Sequence, residues 1–225
     1  MAAASAAQLV IFDCDGVLVD TEPISNRILA AAISEAGLPI AADEVKREFE
    51  AMRLTDIQVR VEERLGRPLG DAWLGDFEAR REAAFREGIE PIPGVEEVLR
   101  ALSAEGRPFC AASQARLEKT ELTLGLTGLR RYFEDGALFA STMVVHGKPA
   151  PDLFLHAAGA MGFEPADCVV VEDAVPGVRA ARAAGMPVFG YAPEGTGDRL
   201  AAAGARVFDS MDELPSLLVR TGHDW

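Results

Sequence analysis

The sequence predicts an α/β protein: a parallel sheet with a helical bundle inserted after its first strand. Three observations carry this. An apolar run, Val10-Ile11-Phe12, reads as a buried strand and runs into Asp13-Cys14-Asp15-Gly16. From residue 22 to residue 89 apolar positions recur at helical spacing and no convincing strand is found. From Pro91 onward short strand-like runs alternate with helical ones, which implies right-handed crossovers and parallel pairing.

The elements follow in order. After Asp20 the apolar positions Ile24, Ile28, Leu29, Ala32 and Ile33 predict a helix stopped by Gly37-Leu38-Pro39. Ala42 to Phe49 is a short amphipathic helix. Ile57, Val61 and Leu65 mark a third, closed by Gly66-Arg67-Pro68; Trp73, Phe77, Ala84 and Phe85 mark a fourth, ending near Gly88. Pro91-Ile92-Pro93-Gly94 punctuates the chain, and a helix begins at Val95. Strands are then predicted at Pro108–Ser113, Ala137–Ala140, Cys168–Asp173, Val188–Tyr191 and around Val207-Phe208. The three consecutive valines 169–171 suit a central strand covered on both faces. Helices are predicted at Leu117–Leu126, Pro151–Met161, Val178–Ala184 and Met211–Val219, and Gly195-Thr196-Gly197 is read as a loop.

Composition narrows the function. The 225 residues carry a formal charge of −14, which argues against nucleic-acid and anionic-membrane partners, whose binding surfaces are usually basic. An anionic small substrate is not excluded, because local charges and a metal decide that. Cys14, Cys110 and Cys168 lie in apolar strand-like runs without a CxxC pair, so reduced core thiols are expected rather than a zinc site or disulfides. Met1–Ala7 reads as a frayed tail rather than a signal peptide, and no stretch approaches the roughly 20 apolar residues of a membrane helix. A cytoplasmic protein, monomeric or weakly homo-oligomeric, is expected.

The chemistry is expected at the strand ends, where the ligand crevice of an open α/β sheet lies. Asp13 and Asp15 follow the first strand, Ser113 ends the second, Lys148 follows the third in His146-Gly147-Lys148-Pro149, and Glu172-Asp173 ends the fourth. Two close carboxylates repel, so a cation is expected beside them. These residue types suit a phosphoryl group, which needs donors and cations around its oxygens. Ser113 offers a hydroxyl, Lys148 an ammonium, and the backbone N–H groups after Asp13 and Ser113, the latter that of Gln114, offer more. Mg²⁺ prefers oxygen ligands; Asp13, Glu172 and Asp173 supply carboxylates and Asp15 its backbone carbonyl. Asp13 is the expected nucleophile and Asp15 the expected acid/base.

This order resembles the haloacid dehalogenase-like superfamily of phosphohydrolases. The resemblance rests on Asp13-Cys14-Asp15-Gly16-Val17, Ser113, Gly147-Lys148-Pro149-Ala150-Pro151-Asp152 and Val171-Glu172-Asp173-Ala174-Val175-Pro176-Gly177-Val178, and it runs from about Leu9 to the last helix. It implies a Rossmann-like core at residues 8–20 and 90–225 and a mobile helical cap at 21–89, with hinges near Val19–Glu22 and Glu90–Gly94. It also implies Mg²⁺ dependence and the roles given above. Asp15 argues for phosphoryl transfer, since true haloacid dehalogenases lack that second aspartate. The flanks are most similar to the branch of sugar-phosphate phosphatases and β-phosphoglucomutase. The mutase carries a histidine where this chain has Ser25, and differs around Ala51-Met52-Arg53-Leu54, which favours phosphatase over mutase. The whole pattern is similar to bacterial phosphatases of sugar and sugar-acid phosphates. A catalytically silent binding protein is the third reading, opposed by the complete set of acids, serine and lysine.

Plainer readings stand beside these. Asp13 and Asp15 alone would suit an Asx turn, Ser113 a helix N-cap, Lys148 a solvated loop, and Glu172-Asp173 an ordinary strand exit. Arg53, between cap helices, is assigned to the distal part of the substrate, against a surface arginine. Arg116 is assigned to the site entrance, with a helix-surface charge the simpler reading. His146 reads as a loop residue, Trp73 and Phe77 as cap core, and Met143 as packing.

Overall fold

The computed structural model describes residues 9–49, 52–193, 195 and 197–219. The expected tail Met1–Ala7, Ala51 of the expected cap loop and Thr196 lie outside the described residues. The chain divides into two compact units, one formed by the chain up to Asp20 and from Glu90 onward, the other by Thr21–Ile89. Among the described residues, no helix is long and apolar enough to cross a membrane.

The first unit is a six-stranded, wholly parallel sheet. Its strands are β1 (Leu9–Phe12), β2 (Phe109–Ser113), β3 (Leu138–Ala140), β4 (Cys168–Glu172), β5 (Val188–Tyr191) and β6 (Arg206–Phe208), in spatial order β3-β2-β1-β4-β5-β6. Successive strands step outward from β1 to β3, then the chain returns to the other side of β1 to place β4. That reversal puts a crevice at the carboxyl ends of β1, β2 and β4. Every residue of β1, β2 and β4 is buried, as a central parallel sheet covered on both faces requires. Ile11 pairs with both Cys110 and Val170, so β1 is pinned from both sides one residue before Phe12 and two before Asp13. Fully buried Ile11 and Phe12 each contribute about 1.5–3 kcal/mol of apolar burial.

Helices α5 (Val95–Ala104), α6 (Leu117–Leu126), α7 (Asp152–Met161), α8 (Val175–Ala183), α9 (Gly197–Ala203) and α10 (Leu214–Val219) belong to this unit. Strand β1 ends at Phe12, the residue before Asp13. Cys14 accepts from the N–H groups of both Leu18 and Val19, so the backbone turns immediately after Asp13 and the apolar Val17-Leu18-Val19 lie in the turn, buried. Helix α8 starts at Val175, not Val178: Pro176 stands in the first turn, where its missing N–H costs nothing. Helix α9 begins at Gly197, the last residue read as loop, and continues over residues given no element from the sequence; a parallel β5–β6 pair needs a crossover, and α9 provides it. Met143, expected to pack, is 40% exposed.

The second unit contains α1 (Glu22–Glu35), α2 (Ala42–Phe49), α3 (Leu54–Leu65) and α4 (Trp73–Glu87). Leu29, Ile33, Val45, Phe49, Ile57, Val61 and Phe77 form one apolar core, with Trp73 packed against it. Trp73 stacks on Phe77 with ring centroids 6.4 Å apart, so Phe77 lies in the core of this unit and Trp73 at its edge. Gly66, φ +67°, closes α3 in the left-handed region that favours glycine.

The connection between the units is hydrogen-bonded on the side of the first. Asp20 N–H donates to Glu90 O, Ile92 N–H donates to Leu18 O, and Val19 and Pro91 form an antiparallel bridge.

Candidate active site

Asp13 follows the last residue of β1, and its N–H donates to Val171 O at 2.9 Å, continuing the ladder to β4. Its carboxylate is buried and meets Lys148, from the segment that follows the edge strand β3. The Lys148 ammonium donates to Asp13 Oδ1 at 2.5 Å, to Glu172 Oε1 at 2.7 Å and to the Ala112 carbonyl at 3.0 Å. All three of its donors are therefore spent on groups at the ends of β1, β4 and β2. The ammonium also lies 4.9 Å from the centroid of Phe154.

Two small-scale devices bring Lys148 there. The Ser141 hydroxyl donates to Gln114 O, tying the exits of β2 and β3 together, and Gln114 Oε1 accepts from Lys148 N–H at 2.9 Å. A Cβ on Gly147 would lie 2.5 Å from Gln114 Nε2, so a side chain there would push the Gln114 amide out of this clamp. The Gln114 side chain is thus spent on the Lys148 loop, whereas the group expected on substrate is its backbone N–H.

Glu172 is fixed on both oxygens. Oε1 takes Lys148, and Oε2 accepts from the N–H groups of Asp173 and Ala174 at 3.0 and 2.9 Å. A Cβ on Gly177 would lie 1.6 Å from Glu172 Oε1. Asp173 lies over Gly16, whose φ is +83° and whose missing Cβ would fall 1.9 Å from Asp173 Oδ2. The glycines of two distant motifs leave room for two carboxylates. Asp13, Glu172 and Asp173 each bring a carboxylate oxygen within 4.8 Å of the others.

This crowding shows in protonation. Burial pushes the Asp13 carboxyl up from its ordinary 3.8 to about 7; Lys148 works against that, while Glu172 and Asp15 add to it. Burial disfavours the Lys148 ammonium, but Asp13 and Glu172 outweigh it and hold the amine charged, above the usual lysine range. The carboxylates outnumber the lysine, so the cluster has the charge and the hard oxygen donors of a divalent-cation site.

Asp15 does not share a strand face with Asp13. Its carboxylate accepts from Lys119 Nζ at 2.7 Å on both oxygens. Lys119, in the first turn of α6, was not legible as a site residue: a lysine on a helix four residues before a threonine carries no motif. The available signal is the polar face of α6, where Thr120 and Thr123 are buried and Thr123 Oγ1 lies 3.9 Å from Cys14 Sγ.

Ser113 is buried at the end of β2, and its Oγ accepts from Ala115 N–H at 3.0 Å, leaving its own proton to donate. It does not cap α6, whose N-cap is Arg116. Arg116 is exposed there, and exposed Arg53 is the N-cap of α3 in the other unit. The Lys148 cluster includes neither. His146 is exposed and its Nδ1 lies 3.2 Å from Asp152 Oδ2, at the start of α7. Cys14, Cys110 and Cys168 are free and buried; burial raises all three thiols, Cys168 to about 11.

The arrangement offers one buried carboxylate beside a fixed ammonium, a hydroxyl donor, a second carboxylate held apart, and an acidic cluster fit for a cation. The family model of haloacid dehalogenase-like hydrolases matches residues 7–185. The chain is 31% identical over 222 residues to the 6-phosphogluconate phosphatase of Escherichia coli (strain K12), covering 98% of each chain. It is 34% identical over 184 residues to the fructose-1-phosphate phosphatase of the same strain, covering 79% of this chain and 92% of that one. Among solved structures, a HAD family hydrolase from Deinococcus radiodurans with bound phosphate and sodium superposes with a TM-score of 0.82. Its identity is 32%, over 97% of this chain and 98% of that one.

Proposed function

The chain belongs to the haloacid dehalogenase-like hydrolases, and from that premise we propose that it is a Mg²⁺-dependent phosphatase of sugar or sugar-acid phosphates acting through an aspartyl-phosphate. It is a phosphoric monoester hydrolase. The observation that carries the mechanism is the three-way grip of Lys148 on Asp13, Glu172 and Ala112, which fixes one carboxylate beside a permanent positive charge.

Asp13, Glu172 and Asp173, with the Asp15 carbonyl, would hold the ion. When bound, Mg²⁺ supplies positive charge that offsets the repulsion between these carboxylates and the phosphate. An Asp13 oxygen attacks phosphorus, forming the new O–P bond as the bond to the sugar oxygen breaks. The Asp15 carboxyl gives its proton to that leaving oxygen. Water then attacks phosphorus, the Asp13–phosphorus bond breaks, and the water proton passes to Asp15. Lys148 sets its positive charge beside the phosphoryl oxygens, and the Ser113 hydroxyl donates to them, through both transfers. The 21–89 unit is assigned to selection of the substrate, with Arg53 and Arg116 as its candidate contacts. A cytoplasmic monomer or weak homo-oligomer is the accompanying assignment.

The test is a screen of phosphorylated metabolites with Mg²⁺, measuring inorganic phosphate and kcat/KM. Sugar or sugar-acid phosphates are expected at the top, with turnover lost in Asp13→Asn. Full activity in that variant would refute the nucleophile. Isomerised sugar phosphate in place of released phosphate would identify a mutase instead.

A further inference from the structure

The two aspartates of the site are held by two different lysines. Lys148 takes Asp13. Lys119 takes Asp15, with Nζ 2.7 Å from both carboxylate oxygens. The second contact is shielded, since the side chains of Lys119 and Asp15 are only 15% and 31% exposed. It is also anchored. One turn further along α6, Thr123 lies against Cys14, so the same helix face meets the chain at two successive residues. Lys148 has no donor to spare for Asp15.

We propose that Lys119 is a positioning residue: its two contacts aim the Asp15 carboxylate for proton transfer and keep it off Asp13. Without it, the Asp15 carboxylate loses both of those contacts beside the buried Asp13 carboxylate. The assignment rests on the reading of Asp15 as the acid/base.

The experiment uses the full chain with Mg²⁺ and two probes, phenyl phosphate and p-nitrophenyl phosphate. Phenolate is a poor leaving group and needs its proton; p-nitrophenolate departs without one. Single-turnover release of the phenol is followed for wild type, Lys119→Met, Lys119→Arg and Asp15→Asn. Misplacing a reacting group by about 1 Å costs on the order of 10²-fold. Lys119→Met should therefore slow release from phenyl phosphate about 100-fold and from p-nitrophenyl phosphate no more than about threefold, with KM within about twofold. Lys119→Arg should recover most of the loss. Equal losses on both probes would reduce Lys119 to a structural role and overturn the proposal. So would a Lys119→Met enzyme as fast as wild type on phenyl phosphate while Asp15→Asn is slow. If Asp15→Asn is itself unimpaired on phenyl phosphate, the acid/base reading of Asp15 falls, and the role of Lys119 with it.

Discussion

Two ion pairs of nearly equal length, one in each unit, differ in their exposure to water. Arg80–Glu35, in the helical unit, is 2.6 Å long between side chains 52% and 58% exposed. Lys148–Glu172, in the α/β unit, is 2.7 Å long between side chains 4% and 2% exposed. Distance alone would rank them equal. Water decides otherwise: the exposed pair is screened and exchanges one solvated state for another, while the buried pair leaves an uncompensated charge when broken. Arg64–Glu48 and Lys46–Glu22 repeat the exposed pattern in the helical unit. That unit is held by apolar contact beneath a charged coat. The carboxyl end of the sheet is held by charges whose partners are specified atom by atom.

The sharpest way to break this comparison is Lys148→Met. Burial without the ammonium should cost about 3 kcal/mol in denaturant unfolding and at least about 10³-fold in phosphate release. A variant that kept both would show that the buried pair is no different from the exposed ones. Next come two glycine-to-alanine changes. Gly177→Ala drives a Cβ into Glu172 and should cost about 1–3 kcal/mol with a clear drop in kcat. Gly75→Ala, inside α4 with nothing within 4 Å of the added carbon, should stabilise by about 0.5 kcal/mol and leave kcat alone.

The third concerns pH in EDTA. The Asp13 carboxyl, raised to about 7 in the folded chain against 3.8 ordinarily, keeps a proton that the unfolded chain has already lost. Its contribution is fully present below about pH 4 and is lost as pH rises through about 7. Asp13→Asn should therefore melt a few degrees above wild type at pH 8, with the gap closing toward pH 4. A gap that widened on acidification would reverse the sign assigned to burial. The smallest effect is Arg80→Ala, whose melting midpoint should match wild type within error at 0.15 M salt.

Much of the fold was legible because its signals are local. Helices α2 and α6 end where their apolar spacing and flanks place them, and the valines of β4 are the central strand they resemble. Helix α9 was hidden because Gly195 and Gly197 are turn residues by composition, and only the demand of a parallel β5–β6 pair reveals a helix there. At the site, Asp13, Ser113, Glu172 and Asp173 were readable because each sits at or just beyond a strand end and topology gathers those ends, and Lys148 because it stands in the Gly147-Lys148-Pro149 segment that follows β3. The residues that aim them were not. Lys119 acts from a helix, through a contact between residues 104 positions apart, and Gln114 spends its side chain on a loop peptide rather than outward. No spacing rule records which surface-type side chain faces inward.

The antiparallel bridge between Val19 and Pro91, flanked by the Asp20–Glu90 and Leu18–Ile92 hydrogen bonds, has a consequence for the gene as much as for the protein. It brings the two ends of the inserted segment together, and the closure is stitched by the recipient unit itself. Lengthening a loop whose ends are already joined adds only about 0.6 kcal/mol of closure entropy per doubling. The α/β unit is therefore a socket: segments 21–89 of quite different length and sequence can be exchanged there with little thermodynamic protest, while the strands that carry Asp13, Ser113 and Glu172 stay in register. On the proposed role of the 21–89 unit in substrate selection, new preferences would then arise by transplantation at one locus, without re-inventing the chemistry.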